Sequence, residues 1–485
     1  MVEALRGLGY SPATAIADII DNSIAAGASE IDVAFVWNGT QSSISITDNG
    51  SGMDEPMLDS AMRLGERSPL EVRGKNDLGR FGLGLKTASF SQARRLTVAS
   101  KRKGLISVLR WDLDVLRDDP AGNWSLLEGP APGSEHLLTQ LDPMDHGTVV
   151  LWEKMDRIVP PGSSDGDFLA AIDRIERHLA MIFHRFIEGR RLTIRINGTP
   201  VRPWDPFLRG RTDTWCSGAE SFRAGKHEIT IEGFVLPHRD RLPPKIYEEA
   251  AGPDGWTAQQ GFYVYRNERL LVAGHWLGLG QGRSWTKEEP FRLARIRLDI
   301  PNSADEDWKI DVRKSTARPP LEVRGRLSLF AEDVRQRARR VFAFRGRSER
   351  GPGAAPVAPA WNATQLAGGL RYRVDRNHPA VAAVLDSAGP LRDDVVAMLR
   401  VIEETVPVQQ IWLDTAEARE TPRTGFQGVP PDEVKSVMQT VFSNLVNRKG
   451  LTEEQARRQL AATEPFDSWT SYVETLTLSS READS

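Results

Sequence analysis

The chain has 485 residues, 40% hydrophobic and 27% charged, with 41 Gly and 30 Pro, which excludes a disordered or fibrous protein and points to about two to four domains. Its 63 basic and 66 acidic side chains leave a formal charge of −3, which excludes a uniformly basic nucleic-acid coat. A single cysteine, Cys216, excludes a disulfide framework and any multi-cysteine metal site. The eight His are scattered, so a metal held by protein ligands alone is not expected. No apolar run approaches the ~18 residues of a membrane span, and residues 1–6 lack a basic-then-apolar leader pattern. A soluble, cytoplasmic protein with no membrane partner is expected.

In chain order, Ser11-Pro12 reads as a helix start, a capping residue followed by proline in the first turn. Ala15, Ile16, Ile19, Ile20 and Ser23 then recur at helical spacing, with a stop near Gly27. Ile31, Val33 and Phe35 alternate as a strand, and a second strand through Ile44 and Ile46 runs into Asp48-Asn49-Gly50. The change of period predicts an α+β arrangement with helices layered on a sheet. Phe168, Leu169, Ile172, Ile175, Leu179, Ile182 and Phe183 outline an amphipathic helix over 168–186. From about 190 to 315 alternation dominates, through Leu192, Ile194 and Ile196, then Ile229 and Ile231, Phe262 and Val264, and Ile296, Leu298 and Ile300. An Arg-rich helix follows at about 321–345, and 346–360 is a Gly/Pro/Ala-rich linker. Residues 361–485 read as mainly helical, with Thr452 to Gln455 as a capping box. The expected domains are therefore 1–160, 161–345 and 361–485, with the linker between the last two.

Three clusters carry chemistry. Asp18 and Asn22 share a helix face; alone they read first as a solvated face, although a carboxylate there can orient water and an amide oxygen can hold magnesium. Asp48-Asn49-Gly50-Ser51-Gly52-Met53 is ordinary turn chemistry, or else a buried carboxylate for an exocyclic amine beside glycines that admit a flat base. Gly79, Gly82 and Gly84 precede a helix starting near Leu85, a phosphate cradle to which Lys86 adds charge. The spacing matches neither a Walker A loop nor a Rossmann turn.

Taken in order, these clusters resemble the GHKL (Bergerat) ATPase fold, an α/β sandwich, and His146-Gly147-Thr148-Val149-Val150 looks like the Gly-Thr strand that closes its adenine pocket. The resemblance implies an ATPase with ATP and Mg2+ as cofactors. Asn22 would hold the metal, and Asp18 would stand in the water-activating position. Asp48 would bond adenine, with Gly50, Gly52, Met53 and Thr148 lining the base pocket. Gly79, Gly82, Gly84, Lys86 and Thr87 would hold the phosphates, under a lid from about Met62 to Gly84. Asp18 departs from the family, in which most hydrolysing members carry Glu. One methylene fewer withdraws the carboxylate by roughly 1.5 Å, an error that can cost ~100-fold in rate. Slow turnover is therefore expected.

Gly261 to Leu271 resembles the signature strand of a ribosomal-S-five-like transducer domain, and Trp308 to Arg313 resembles the MutL loop whose lysine reaches the γ-phosphate. Lys309 would take that part ahead of Lys314. The whole is most similar to prokaryotic MORC/MutL-like ATPases of restriction and phage-defence systems, which implies a nucleotide-gated homodimeric clamp on DNA. The alternatives are an ATP-sensing scaffold with little turnover, or a chaperone-like clamp. Between Arg324 and Arg350 nine Arg face three acids, which reads equally as a solvated face or a DNA contact. Residues 361–485 are net acidic and are expected to bind partner proteins.

Overall fold

The computed structural model describes residues 6–7, 9–63, 84–118, 125–280, 282–304, 307–310, 316–343, 358–366, 369–411, 432–463 and 465–478. It divides into two units, Met1–Gly346 and Arg347–Ser485.

Helix α1 (Pro12–Ala25) begins as its sequence dictates. The Ser11 hydroxyl accepts from the Thr14 N–H at 3.2 Å while Thr14 Oγ1 accepts from the Ser11 N–H at 3.0 Å, satisfying donors that a bare helix end leaves orphaned. Ile16, Ile19 and Ile20 are buried on a sheet whose strands are β1 (Glu30–Val36), β2 (Ser43–Asp48), β3 (Arg95–Arg102), β4 (Leu105–Asp112), β5 (Leu127–Glu128), β6 (Gly147–Glu153), β7 (Thr193–Ile196) and β8 (Thr199–Pro200). Their order is β5-β4-β3-β6-β2-β1-β7-β8. Helix α2 (Glu55–Met62) lies against β4, and α1 packs between α3 (Gly84–Phe90) and α4 (Asp165–Ile182). Beneath β3 and β6 a smaller cluster of Ala99, Val149 and Leu151 closes on Leu141 of a 3-10 turn.

The strand at 193–196, which alternation places in the second, strand-rich section, belongs to this first sheet. β7 runs parallel to β1, with Ile194 opposite Ile31 and Ile196 opposite Val33. The first layer therefore continues past residue 160 and takes in α4. The expected helix over 168–186 is likewise two pieces, α4 and the short α5 (His184–Glu188).

The second sheet comprises β9 (Trp215–Cys216), β10 (Glu220–Ala224), β11 (His227–Val235), β12 (Gly261–Arg266), β13 (Arg269–His275) and β14 (Ala294–Ile300), ordered β10-β11-β14-β12-β13 with β9 on β11. Period-2 alternation splits its residues between two cores. Tyr263, Tyr265 and Leu270 join the apolar core of the first domain with Phe183 and Phe207. Phe262, Val264, Ile296 and Leu298 pack instead with Val323, Leu327, Ala331 and Val334 of α6 (Leu321–Ala343).

Six of the nine arginines in the basic run lie in α6; Arg345, Arg347 and Arg350 lie outside the described residues. Arg335 corrects the surface reading. It is 5% exposed, with its guanidinium 3.6 Å from the Phe291 ring centre and 4.7 and 4.6 Å from those of Trp276 and Trp285. This is a cation–π box inside the second core. Arg337 stacks on Trp215 at 4.5 Å and pairs with Asp333 at 2.9 Å, while Arg339 and Arg340 are exposed.

The second unit opens with a hairpin, β15 (Trp361–Leu366) and β16 (Gly369–Val374), where a mainly helical region is expected. Helices α7 (Pro379–Ser387), α8 (Arg392–Glu404), α9 (Asp432–Asn447) and α10 (Glu453–Ala461) follow, with Met438, Phe442, Leu460 and Trp469 in their core. The capping box at Thr452 and Gln455 is present.

Removing the Arg335 side chain leaves a void among three aromatic rings. Arg335→Ala should cost about 2–4 kcal/mol in denaturant unfolding, whereas Arg339→Ala/Arg340→Ala should stay within about 0.5 kcal/mol of wild type.

Candidate functional site

The site begins where three neighbouring strands align polar side chains. Asp48 at the end of β2 faces Thr148 on β6, and Thr148 faces Ser100 on β3. All three are buried. Asp48 Oδ2 accepts from the Ser23 hydroxyl at 2.7 Å and Oδ1 from the Gly50 N–H at 2.9 Å. Desolvation nevertheless pushes the carboxyl above its ordinary value, against these bonds, the Thr148 backbone and the nearby His146. The Thr148 and Ser100 hydroxyls lie 2.9 Å apart, and Ser100 Oγ accepts from the Met53 N–H at 2.8 Å.

Two glycines let the backbone close around this row. Gly52 sits at φ +64°, and a Cβ there would lie 2.0 Å from the Lys101 carbonyl oxygen. A Cβ on Gly147 would lie 2.3 Å from the Asp48 carbonyl oxygen. Neither position accepts a side chain. Asn49 fixes the loop by accepting from the N–H groups of Ser29 and Glu30 at 2.8 and 3.0 Å, and His146 Nδ1 lies 2.6 Å from the Gly50 carbonyl.

Helix α1 supplies the second element. The solvated-face reading fails for Asp18, which is 5% exposed; its neighbour Asp21 is 1% exposed. Tyr10 donates to Asp18 Oδ2 at 3.0 Å. Arg269 of β13 donates from Nε to both Asp21 oxygens at 3.1 Å, and its Nη2 lies 3.8 Å from Asp18 Oδ1. Beside them His178 of α4 is pushed down to about 4, by burial first and then by the Arg269 charge. Asn22, one position past Asp21, is exposed.

Of the expected phosphate loop, Gly79 and Gly82 lie outside the described residues, as does most of the expected lid, 64–83. Gly84 opens α3 with no neighbour among the described residues within 4 Å of a notional Cβ, and Thr87 Oγ1 donates to its carbonyl at 3.4 Å. Lys86 is buried and donates to the carbonyls of Ala61, at 3.0 Å, and Arg63 at the end of α2. Its ammonium is thus already engaged by backbone oxygens. Lys309 is exposed on the loop after β14, at φ +47°, between buried Trp308 and Ile310; Lys314 lies outside the described residues.

The structure therefore gathers Asp48, Gly50, Gly52, Met53 and Thr148 into one place. Ser23 and Ser100 join this row, while Tyr10 and Arg269 meet the carboxylates of α1, contacts that neighbouring residues in sequence do not announce. His184, Glu188 and Asp205 also come within ligand reach of one another. There the Arg209 guanidinium lies 2.6 Å from Glu188 and 3.3 Å from Asp205, so a protein cation already serves that cluster.

Residues 10–148 match the family model described as histidine kinase-, DNA gyrase B- and HSP90-like ATPase. This segment is a GHKL ATPase domain. Similar proteins include the ATPase morc-1 of Caenorhabditis elegans, 29% identical over 98 residues, 20% of this chain and 11% of the relative. The DNA mismatch repair proteins MutL of Azorhizobium caulinodans and Paramagnetospirillum magneticum are also similar. The first is 36% identical over 93 residues, covering 19% of this chain and 15% of the relative. The second is 35% identical over 108 residues, covering 21% and 17%. Each match thus spans under a fifth of the relative's length.

The raised Asp48 carboxyl has a sign in stability. Its folded value lies above the unfolded 3.8, so its contribution is fully present below that value and is lost as pH rises through the folded one. Asp112 and Asp114 are shifted downward by Arg95, Arg94 and Lys154 and act oppositely, so the measurement is a difference. The stability of Asp48→Asn relative to wild type should rise with pH above about 4 and then level off, read by denaturant unfolding across the acid range.

Proposed function

We propose that the GHKL domain binds ATP with Mg2+ and hydrolyses it slowly. The observation that supports this most is the buried Asp48, Thr148 and Ser100 row under Gly52 and Gly147: a desolvated carboxyl beside close-packed backbone suits the amine edge and flat face of an adenine. Asp48 would accept from the exocyclic amine, and Met53 would pack on the ring. The exposed amide of Asn22 would offer its oxygen to magnesium, which when bound neutralises phosphate charge. The start of α3 at Gly84 and Thr87 would meet the phosphates, with Gly79 and Gly82 before it. Lys86 would join them by exchanging the carbonyls of Ala61 and Arg63 for a phosphate oxygen. Asp18 would orient the attacking water from the mouth of the site. Its short tether and its bond from Tyr10 favour low turnover. In the same reading Lys309 approaches from the second domain toward the γ-phosphate.

The wider reading is a homodimer that closes on nucleotide binding, with DNA as client. The names of the MutL relatives support DNA, and Arg339 and Arg340 are exposed on α6, as is Arg326, which pairs with Glu220 and stacks on Phe222. A partner-protein role for residues 361–485 rests on their acidity and on the exposed Met398, Val401 and Ile402 of α8. The restriction or phage-defence setting rests on the resemblance to prokaryotic MORC/MutL-like ATPases. The scaffold alternative draws on the same short Asp18 tether.

Steady-state phosphate release should be measurable with wild type, lost with Asn22→Ala and reduced by about 100-fold with Asp18→Asn. Unchanged turnover in Asp18→Asn removes Asp18 from its role, and no turnover in wild type that still binds ATP favours the scaffold. Light scattering on the full chain should show mass doubling with a non-hydrolysable ATP analogue. The dimer should bind duplex DNA in a salt-sensitive way that weakens in Arg339→Ala/Arg340→Ala; unchanged mass sinks the clamp.

A further inference from the structure

We propose that Arg269 is a positioning residue: from β13 of the second sheet it sets the Asp18 carboxylate through a buried pair with Asp21, so that the second domain governs the geometry of the nucleotide site. The inference rests on the ATPase reading above and deepens it. Asp18 and Asp21 are three residues apart on α1, one turn of helix, and both are buried. Two carboxylates so placed repel each other and lack solvent, so each needs a positive or hydrogen-bonding partner. Arg269, itself 3% exposed, serves both. Its Nε and Nη2 hold Asp21 at 3.1 Å, while Nη2 stands 3.8 Å from Asp18.

The guanidinium is tied to its own strand. Nη1 donates to the Leu270 carbonyl at 2.8 Å, so its position follows the β13 backbone. β13 in turn pairs with β12, Arg269 opposite Arg266, and Leu270 packs in the apolar core shared with the first domain. Beside the cluster His178 is uncharged at neutral pH and brings no competing cation. A carboxylate on the short aspartate tether has little freedom to correct its own position. Any shift of β13 against α1 therefore either moves the Asp18 carboxylate or breaks a buried pair. A connection of this kind lets a nucleotide-driven movement of one domain be felt in the other, and the reverse.

The test uses the full chain and four proteins: wild type, Arg269→Gln, Arg269→Lys and Asp21→Asn/Arg269→Gln. A positioning role predicts that Arg269→Gln loses about 100-fold in kcat with KM for ATP changed by less than about threefold, and that Arg269→Lys recovers part of the loss. The double variant also removes the charge that Arg269 meets at position 21 and should regain the melting temperature lost by Arg269→Gln. It should stay slow, because Asp18 is still without the Arg269 guanidinium. Recovery of kcat together with melting temperature in the double variant would overturn the proposal, leaving Arg269 a stabilising residue only. A second readout needs no nucleotide: amide hydrogen exchange across α1 should rise by about tenfold in Arg269→Gln while β11 and β14 keep their protection. Unchanged α1 protection would overturn the coupling. Failure of wild type to bind ATP would sink the ATPase reading instead, and the exchange result would still decide whether Arg269 holds α1.

Discussion

Charge buried on and beside helix α1 constrains much of this molecule. Asp18, Asp21 and Asp48 are withdrawn from water, and a bare carboxylate in such a place is far too costly to persist. Each is met by partners from other elements. Tyr10 precedes the helix, Ser23 lies on it, Gly50 comes from the loop after β2, and Arg269 comes from the second sheet. The polar face of α1 is therefore completed by a strand far away in sequence. The GHKL domain and its neighbour are two parts of one electrostatic arrangement.

The apolar packing has the same character. Strand β12 presents Tyr263 and Tyr265 to the first core and Phe262 and Val264 to the second. Tyr265 meets His184 of α5 through a 2.8 Å bond, and the Arg185 guanidinium stacks on its ring at 3.4 Å. The sheet is thus held by one face to the helices that end the first layer and by the other to α6. Alternation along a single strand does this, since neighbouring side chains must point to opposite sides.

Much of this was legible from local pattern. The Ser11 cap, the Ile face of α1, the alternation of Ile31, Val33 and Phe35, and the cluster from Asp48 to Met53 all depend on neighbours within a few residues. What stayed hidden depends on distant partners. A polar residue on a helix reads as solvated until its counter-ion is known, and the partner of Asp21 lies 248 positions away. Arg335 reads as surface charge because nothing near it in sequence announces the rings of Trp276, Trp285 and Phe291. Alternation at Ile194 and Ile196 identifies a strand but carries no address for its sheet. Lys86 next to a glycine cluster reads as an anion ligand, yet the carbonyls of Ala61 and Arg63 claim it.

The parallel pairing of β1 with β7 has a consequence for how the chain is made. Ile31 leaves the ribosome before its register partner on that side, Ile194, which emerges only after the strands and helices between them. Until then that edge of β1 stays unpaired, a template for strangers of the kind sheets otherwise guard against. Such long-range closure is paid for in loop entropy before its contacts form, so this edge of the sheet belongs to the slow part of folding. During synthesis the nascent first layer is thus most exposed to mispairing over the interval that ends when residue 196 is free to dock.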